Sequence, residues 1–428
     1  MIGGRGYPEE IRKLEYDSRY AIRGVVIDKN LGNVFKMDRH GHVGRVYHGF
    51  NLLAEDDRER IYRAARIRLS SPRYVWIDTL FGLPEAVMYI TLVAYYDGRG
   101  EKVDYKRLFE DIRASIDEAH RDDTLKTVIR ANLSEFVVKD PRLAETLHKL
   151  RSSGKKTFVL TNSYWTYSNA VMTYLLDDVR PAYPSWRNYF DYVVVGGRKP
   201  GFFTERNPFI EIDPETGDEK KRPVNSLSRG MVVQGGNIVD FEQMSGASGD
   251  SILYVGDHIY GDVIKVKKSH TWRTAMVIQE LDAENGTSER LRSQLADLEA
   301  FDRRLRNLQS EIDFQALKIK QLARLRDEAS DDELKDEIES ARKQARTDLE
   351  EIRDRWARTE REVEALEQSI DRAYNPYWGA MFRERHENSR FGQQVGVYAD
   401  LYTSRVSNFL SYSPLRYFRA PRQQMPHE

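Results

Sequence analysis

Three short β-rich runs open the chain. Val25–Ile27, Val34–Met37 and Val43–Tyr47 are separated by Asn-Leu-Gly-Asn and Asp-Arg-His-Gly, both rich in hairpin turn residues, so the spacing predicts a small meander. From Asp56 to about Lys139 the apolar period becomes helical. The stretch IRASIDEAHRDDTLKTVIRANLSEFVV shows it best, with apolar positions three and four apart. Strands and helices then alternate. Thr157–Leu160, Tyr192–Val195, Ile252–Val255 and Thr274–Ile278 are short and almost wholly apolar, the pattern of a parallel sheet covered on both faces. Residues 201–250 read as loop, with Pro208, Asp213-Pro214, Gly217 and Gly235-Gly236.

The pattern changes again from Leu291 to Arg372, which contains neither Gly nor Pro. Leu295, Leu298, Leu305, Leu308, Ile312, Ile319 and Leu322 keep a three-four spacing, and Leu334, Ile338, Ala345, Leu349, Ile352, Trp356, Val363, Leu366 and Ile370 repeat it. Between the two runs, Ser330 and Glu333 make a capping-box pattern. This predicts two long helices in an antiparallel hairpin, each on the order of 50–60 Å. A solvated charged spacer is the competing reading. The aromatic-rich tail from Tyr374 should fold back on the core.

Composition narrows the picture. A chain of 428 residues, 40 % hydrophobic, can build a large core. The charged fraction, 32 %, is high, and the excess sits in the 291–372 stretch. A net charge of −1 gives no field toward nucleic acid or acidic membranes. The absence of Cys removes disulfides, thiolate catalysis and Cys-ligated zinc, and suits a reducing, cytoplasmic setting. The N-terminus lacks the apolar stretch of a secretory signal, and no run of apolar residues is long enough to span a membrane.

Three strand ends carry candidate chemistry. The first ends in Thr161-Asn162-Ser163, whose hydroxyl, amide and N–H groups can hold phosphate oxygens at the carboxyl edge of a sheet. Such residues also end many strands that bind nothing. The second is followed by Lys199 in Gly197-Arg198-Lys199-Pro200-Gly201-Phe202-Phe203, a point charge for a phosphoryl group or an ordinary surface lysine. The third runs into Gly256-Asp257-His258-Ile259-Tyr260-Gly261-Asp262. Carboxylates at a strand end are the hard oxygen ligands Mg²⁺ takes, sharing the ion with phosphate and water. Capping of the next helix explains one Asp but not both. On separate strands of one doubly wound sheet, Thr161, Lys199 and Asp257 converge on one edge and supply the parts of a phosphoryl-transfer site.

This combination resembles the haloacid dehalogenase superfamily. Within it, KMDRHGHVGRVYHGFN, FVVKD, LTNSYWTYSNAVMTYLL, FDYVVVGGRKPGFF, YVGDHIYGDVIKVKKSHTWRTAMVIQEL and FGQQVGVYADLY are similar to the cytosolic purine 5′-nucleotidase family, IMP/GMP type. The likeness runs from Gly6-Tyr7-Pro8 to Met425-Pro426-His427-Glu428 and is thinnest over the helical hairpin. It implies a Rossmann-like α/β core with a doubly wound parallel sheet, a helical cap and an inserted hairpin. The boundaries it suggests are a meander joined to the core over 1–55, a cap over 56–150, the core over 151–290, the hairpin over 291–372 and a C-terminal segment over 373–428.

The resemblance also implies roles. Thr161 would hydrogen-bond the phosphoryl group with Asn162 and Ser163 beside it. Lys199 would neutralise that group, Asp257 would bind Mg²⁺ and Asp262 would support the metal. Phe81, Arg113 and Asp117, with His120 and Lys126 following, would recognise a purine nucleoside monophosphate. Arg113, Asp117 and His120 share a helix face by spacing, and Arg113–Asp117 otherwise reads as a solvated ion pair. Tyr260, Lys268, Gln394 and Tyr398 match an activating nucleotide site of some members, with Val397 where a basic residue is expected. Relatives are homo-oligomers. The family's nucleophile is the first Asp of an Asp-x-Asp-x-Thr strand end. Its nearest counterpart, Asp28-Lys29-Asn30-Leu31-Gly32, lies on a later hairpin, so Asp28 is not the nucleophile. The expectation is that the nucleophile lies upstream of Met1; a relative that binds nucleotide without turnover is the alternative.

Overall fold

The computed structural model describes residues 2–63 and 67–420, excluding the side chains of 2, 3 and 221–223, so the matched residues 425–428 lie outside the description. Two compact units divide the chain, Met1–Leu281 with Met381–Glu428, and Asp282–Ala380. Among the described residues, no helix is long and apolar enough to cross a membrane.

The first unit is mixed α/β with several sheets. The meander forms as predicted, with β1 Val26–Asp28, β2 Asn33–Met37 and β3 Val43–His48, extended by β4 Asn51–Leu52. It gains a strand that the helical period of 56–139 hides, β5 Tyr74–Trp76, giving the antiparallel order β4-β3-β2-β1-β5. The helices Gly82–Gly98, Tyr105–Arg121 and Thr124–Ala131 follow β5. Asp28 is fully buried between the sheet and its surroundings. Arg73 grips both its oxygens, at 2.8 and 2.6 Å, and the Tyr62 hydroxyl donates to it at 3.0 Å. These bonds tie Asp28 to Arg73 and Tyr62 within the first unit. Asp28→Asn is expected to lose about 2 kcal/mol of stability in urea titration while leaving any phosphate release unchanged.

The remaining strands of this unit fall in two main sheets rather than one. β6 Phe158–Leu160, β7 Tyr192–Val195, β8 Phe209–Ile212, β9 Glu219–Pro223 and β10 Val232–Gly235 take the order β6-β7-β10-β8-β9. β6, β7 and β10 are parallel; β8 and β9 add antiparallel. The residues read as loop over 201–250 thus hold three strands and the helix Ile238–Ser245. Asp213-Pro214 and Gly217 form the turn of a hairpin, in which the Asp213 and Gly217 amides bond Asp218 O and Asp213 O. The third sheet is parallel throughout: β11 Leu253–Gly256, β12 Arg273–Val277 and, after the short hairpin β13 Arg383–Glu384 and β14 Glu387–Asn388, β15 Leu401–Thr403.

These two sheets share one core. Leu160, Val194, Val233 and Tyr254 pack with Phe202, Phe203, Phe241 and Trp272. The Phe158 and Tyr254 rings stack with centroids 6.4 Å apart. Yet among the described residues no strand pairs with the second edge of β6 or of β11. The consequence shows in burial: β7 and β12 are mostly buried, whereas Phe158, Val159, Leu253 and Val255 are only half-buried. A single doubly wound sheet needs the two edges joined, and here they are not.

The second unit is dominated by the helices Arg292–Glu328 and Asp332–Tyr374, 37 and 43 residues long. Ion pairs Arg326–Glu339 and Arg355–Glu311 set them antiparallel. Leu308, Ala345, Leu349, Ile352, Val363 and Ile370 are buried in it. The second helix is capped by Asp331, which accepts from the Leu334 N–H, and not by Ser330.

Candidate active site

Thr161, Lys199 and the Asp257–Asp262 loop each follow a strand of the shared core. Thr161 leaves β6, and its hydroxyl accepts the Ser163 N–H at 3.1 Å, which tightens the turn. Its backbone is locked to the neighbouring strand end, where the Gly197 amide donates to Thr161 O at 2.9 Å. Asn162 works as a clamp. Its Nδ2 donates to Lys199 O at 3.0 Å, and its Oδ1 accepts the Lys199 N–H at 2.6 Å. The loop after β7 is thereby pinned to the loop after β6. Arg198 within it holds a left-handed φ of 52°, a conformation that costs energy for a residue with a side chain and that clusters at functional turns.

Lys199 reaches the third strand end. Its Nζ lies 2.8 Å from Asp262 Oδ1 and 2.9 Å from the Tyr254 hydroxyl. Tyr254 in turn donates to Asp262 Oδ1 at 3.0 Å, and the His258 N–H donates to Oδ2 at 3.2 Å. Both Asp262 oxygens are therefore engaged, and the side chain is buried. Burial, reinforced by the Asp262 charge, pushes the Tyr254 phenol far above its ordinary pKa, so it stays a donor. The loop is close-packed: a Cβ on Gly256 would sit 2.5 Å from Asp262, and one on Gly261 2.9 Å from His258. Asp257 differs, with an exposed carboxylate. His258 lies 3.5 Å from Asp78. Burial lowers its pKa, but the bond and charge of Asp78, with Asp262 and Asp257 beyond, outweigh that and raise it.

This His258–Asp78 contact brings the Asp257 loop beside the segment that ends in Phe81. Phe81 is 72 % exposed, and its ring meets that of His120 edge-on at 5.9 Å. Arg113 pairs with the buried Glu85 at 2.5 Å rather than with Asp117. Burial raises the Glu85 carboxyl above its ordinary pKa, Arg113 opposing and Asp117 adding. Lys126 lines a cavity of about 240 Å³ with Asp123, Arg130, Tyr164, Thr166 and Tyr167. Tyr164 directly follows Ser163, so Lys126 stands beside the Thr161 loop. Elsewhere Lys268 lies over the Tyr398 ring at 5.8 Å, while Tyr260 is exposed.

Sequence reasoning missed Tyr254, His258 and Glu85. Tyr254 carried a signal, a polar tip at the inward position of an apolar strand. His258 and Glu85 carried none, because their partners come from distant segments. Among the described residues no set of three His, Asp or Glu side chains gathers as a metal cluster. The arrangement can hold a dianion between a cation, hydroxyls and amides, with one free carboxylate alongside.

The chain is 28 % identical over 435 residues to a 5′-nucleotidase domain-containing protein of Dictyostelium discoideum, covering 100 % of this chain and 68 % of that protein. It is 26 % identical to 5′-nucleotidase domain-containing protein 2 of Rattus norvegicus, covering 99 % of this chain and 71 % of that one. The model of the 5′ nucleotidase family matches residues 1–428, and the chain belongs to that family.

Proposed function

We propose that the protein hydrolyses purine nucleoside 5′-monophosphates of the IMP/GMP type with Mg²⁺, through an aspartyl-phosphate. Family membership supports nucleoside monophosphate hydrolysis at the coarse level. The observation that carries the finer reading is the convergence of Thr161, Lys199 and the Asp257–Asp262 loop from three strand ends, with Lys199 bonded to Asp262 at 2.8 Å.

The donor set fits a hard cation. Mg²⁺ commonly takes one or two carboxylates and completes its shell with water and phosphate. Asp257 offers an exposed carboxylate, so it would hold the ion directly. Asp262, its oxygens committed to Lys199, Tyr254 and the His258 amide, would orient the loop. When bound, Mg²⁺ supplies charge for the developing phosphoryl oxygens. Lys199 and the Thr161 loop hold the phosphate; Phe81 and His120 offer a ring pair to the base, with Asp117 on the same helix.

The mechanism needs a carboxylate nucleophile between β6 and β11. We place it on a further strand joining their open edges. A second reading, nucleotide binding without turnover, rests on the same open edges. Phosphate release from IMP with Mg²⁺, set against pyrimidine monophosphates, tests the proposal. Asp257→Asn is expected to lower it about 100-fold or more. IMP binding with no release in any form of the chain would move the assignment to the second reading.

A further inference from the structure

We infer that Arg23 is a positioning residue that aims the Asp257 carboxylate, acting through the backbone; the inference rests on the metal reading of Asp257. Arg23 precedes β1 and is fully buried, which is rare for arginine. Its Nε and Nη2 hold Glu280 at 2.9 and 2.5 Å, the two-pronged geometry a guanidinium is built for. Its third nitrogen, Nη1, donates to the backbone carbonyl of Asp257 at 3.0 Å. The Phe391 ring lies 5.4 Å beneath it. Gly24 leaves room for that ring, since a Cβ there would lie 2.8 Å from Phe391 Cβ at a φ of +102°.

The other side of the same peptide is also held. The His258 N–H donates to Asp262 Oδ2. So the peptide unit between Asp257 and His258 is fixed at its oxygen by Arg23 and at its nitrogen by Asp262. An exposed Asp side chain would otherwise sweep a cone. With that peptide plane fixed, the Asp257 Cα is held in one place, and the carboxylate swings only about its own ψ and χ torsions. Glu280, just past β12, anchors the arginine, so three segments remote in sequence meet at one carbonyl.

The test uses the full chain with Arg23→Lys and Glu280→Gln. Lysine keeps the charge but cannot bridge two groups in this geometry. The probes are Mn²⁺ binding by electron paramagnetic resonance, IMP binding without metal, and amide exchange of His258. Expected is a roughly 10–100-fold loss of Mn²⁺ affinity, as for residues behind a metal ligand. Exchange of the His258 amide should quicken, and IMP affinity should stay within about twofold of the parent chain. If Arg23→Lys does not fold, Glu280→Gln, nearly isosteric, gives the same readouts. Unchanged Mn²⁺ affinity and unchanged exchange in a folded variant would overturn the inference. A parent chain that binds no Mn²⁺, with Asp257→Asn no different, sinks the metal reading instead; quickened His258 exchange would still support the tie.

Discussion

Lys199→Met is expected to lower the unfolding free energy by about 3 kcal/mol and to abolish measurable phosphate release. The reasoning starts from Asp262, whose side chain is 4 % exposed against 15 % for Lys199. Removing the cation leaves a buried carboxylate with the Tyr254 hydroxyl and the His258 amide alone, and a buried charge without its counter-ion is costly. The partial exposure of Lys199 keeps the cost at the low end. Adding Asp262→Asn removes that stranded charge, so the double variant should recover most of the stability. Activity should not return, because the phosphoryl group still lacks its cation. Chemical denaturation of the two variants checks the first half and phosphate release the second. A single variant as stable as the parent chain would mean that the ion pair contributes nothing to folding.

Supplying a parallel strand with an Asp at its carboxyl end, between β6 and β11, is expected to raise phosphate release by ~10³-fold or more, the scale lost when a covalent nucleophile is removed. Parallel strands are normally covered on both faces, and those inside a sheet are paired on both edges. Phe158, Val159, Leu253 and Val255 are half-buried instead, while the side chains of Leu160 and Tyr254 already share a core. A strand joining the two edges would convert two sheets into one and bring a carboxylate near Thr161 and Lys199. The comparison is between the 428-residue chain and extended forms that carry an added N-terminal strand ending in Asp. Phosphate release and amide exchange over residues 158–160 and 253–256 are the readouts. Extended forms that neither gain activity nor protect those amides would remove the basis for the strand.

How much of this was legible in the sequence differs by element. The meander was, because Val34–Met37 and Val43–Tyr47 are bounded by turn residues and need only local pairing. The strand cores of β6, β7, β11 and β12 were, because apolar runs that short have few other uses. β5 was not. Tyr74-Val75-Trp76 is three residues between helices, and it becomes a strand only because β1 offers it an edge. The 201–250 stretch misled because Pro and Gly mark hairpin turns as readily as loops. In the site, Thr161, Lys199 and Asp257 were visible as strand-end residues, but their partners were not. Asn162 was read as standing beside the phosphoryl group, and its tie to the Lys199 backbone was not foreseen. Arg113 looked paired by helical spacing, and a carboxylate from another helix, Glu85, took it. Local spacing cannot weigh a tertiary competitor that is buried and waiting.

The bond from Lys199 to Asp262 has one more consequence. In this arrangement the cation already has its partner, so a lone anion arriving at the Thr161 loop meets little net attraction. A lone cation at Asp257 likewise finds the second carboxylate spoken for. In the proposed reaction, a phosphate with its counter-ion would give each charge a new partner when the internal pair opens. Each ligand of the proposed reaction therefore competes with a bond already made, and the two should bind more tightly together than apart.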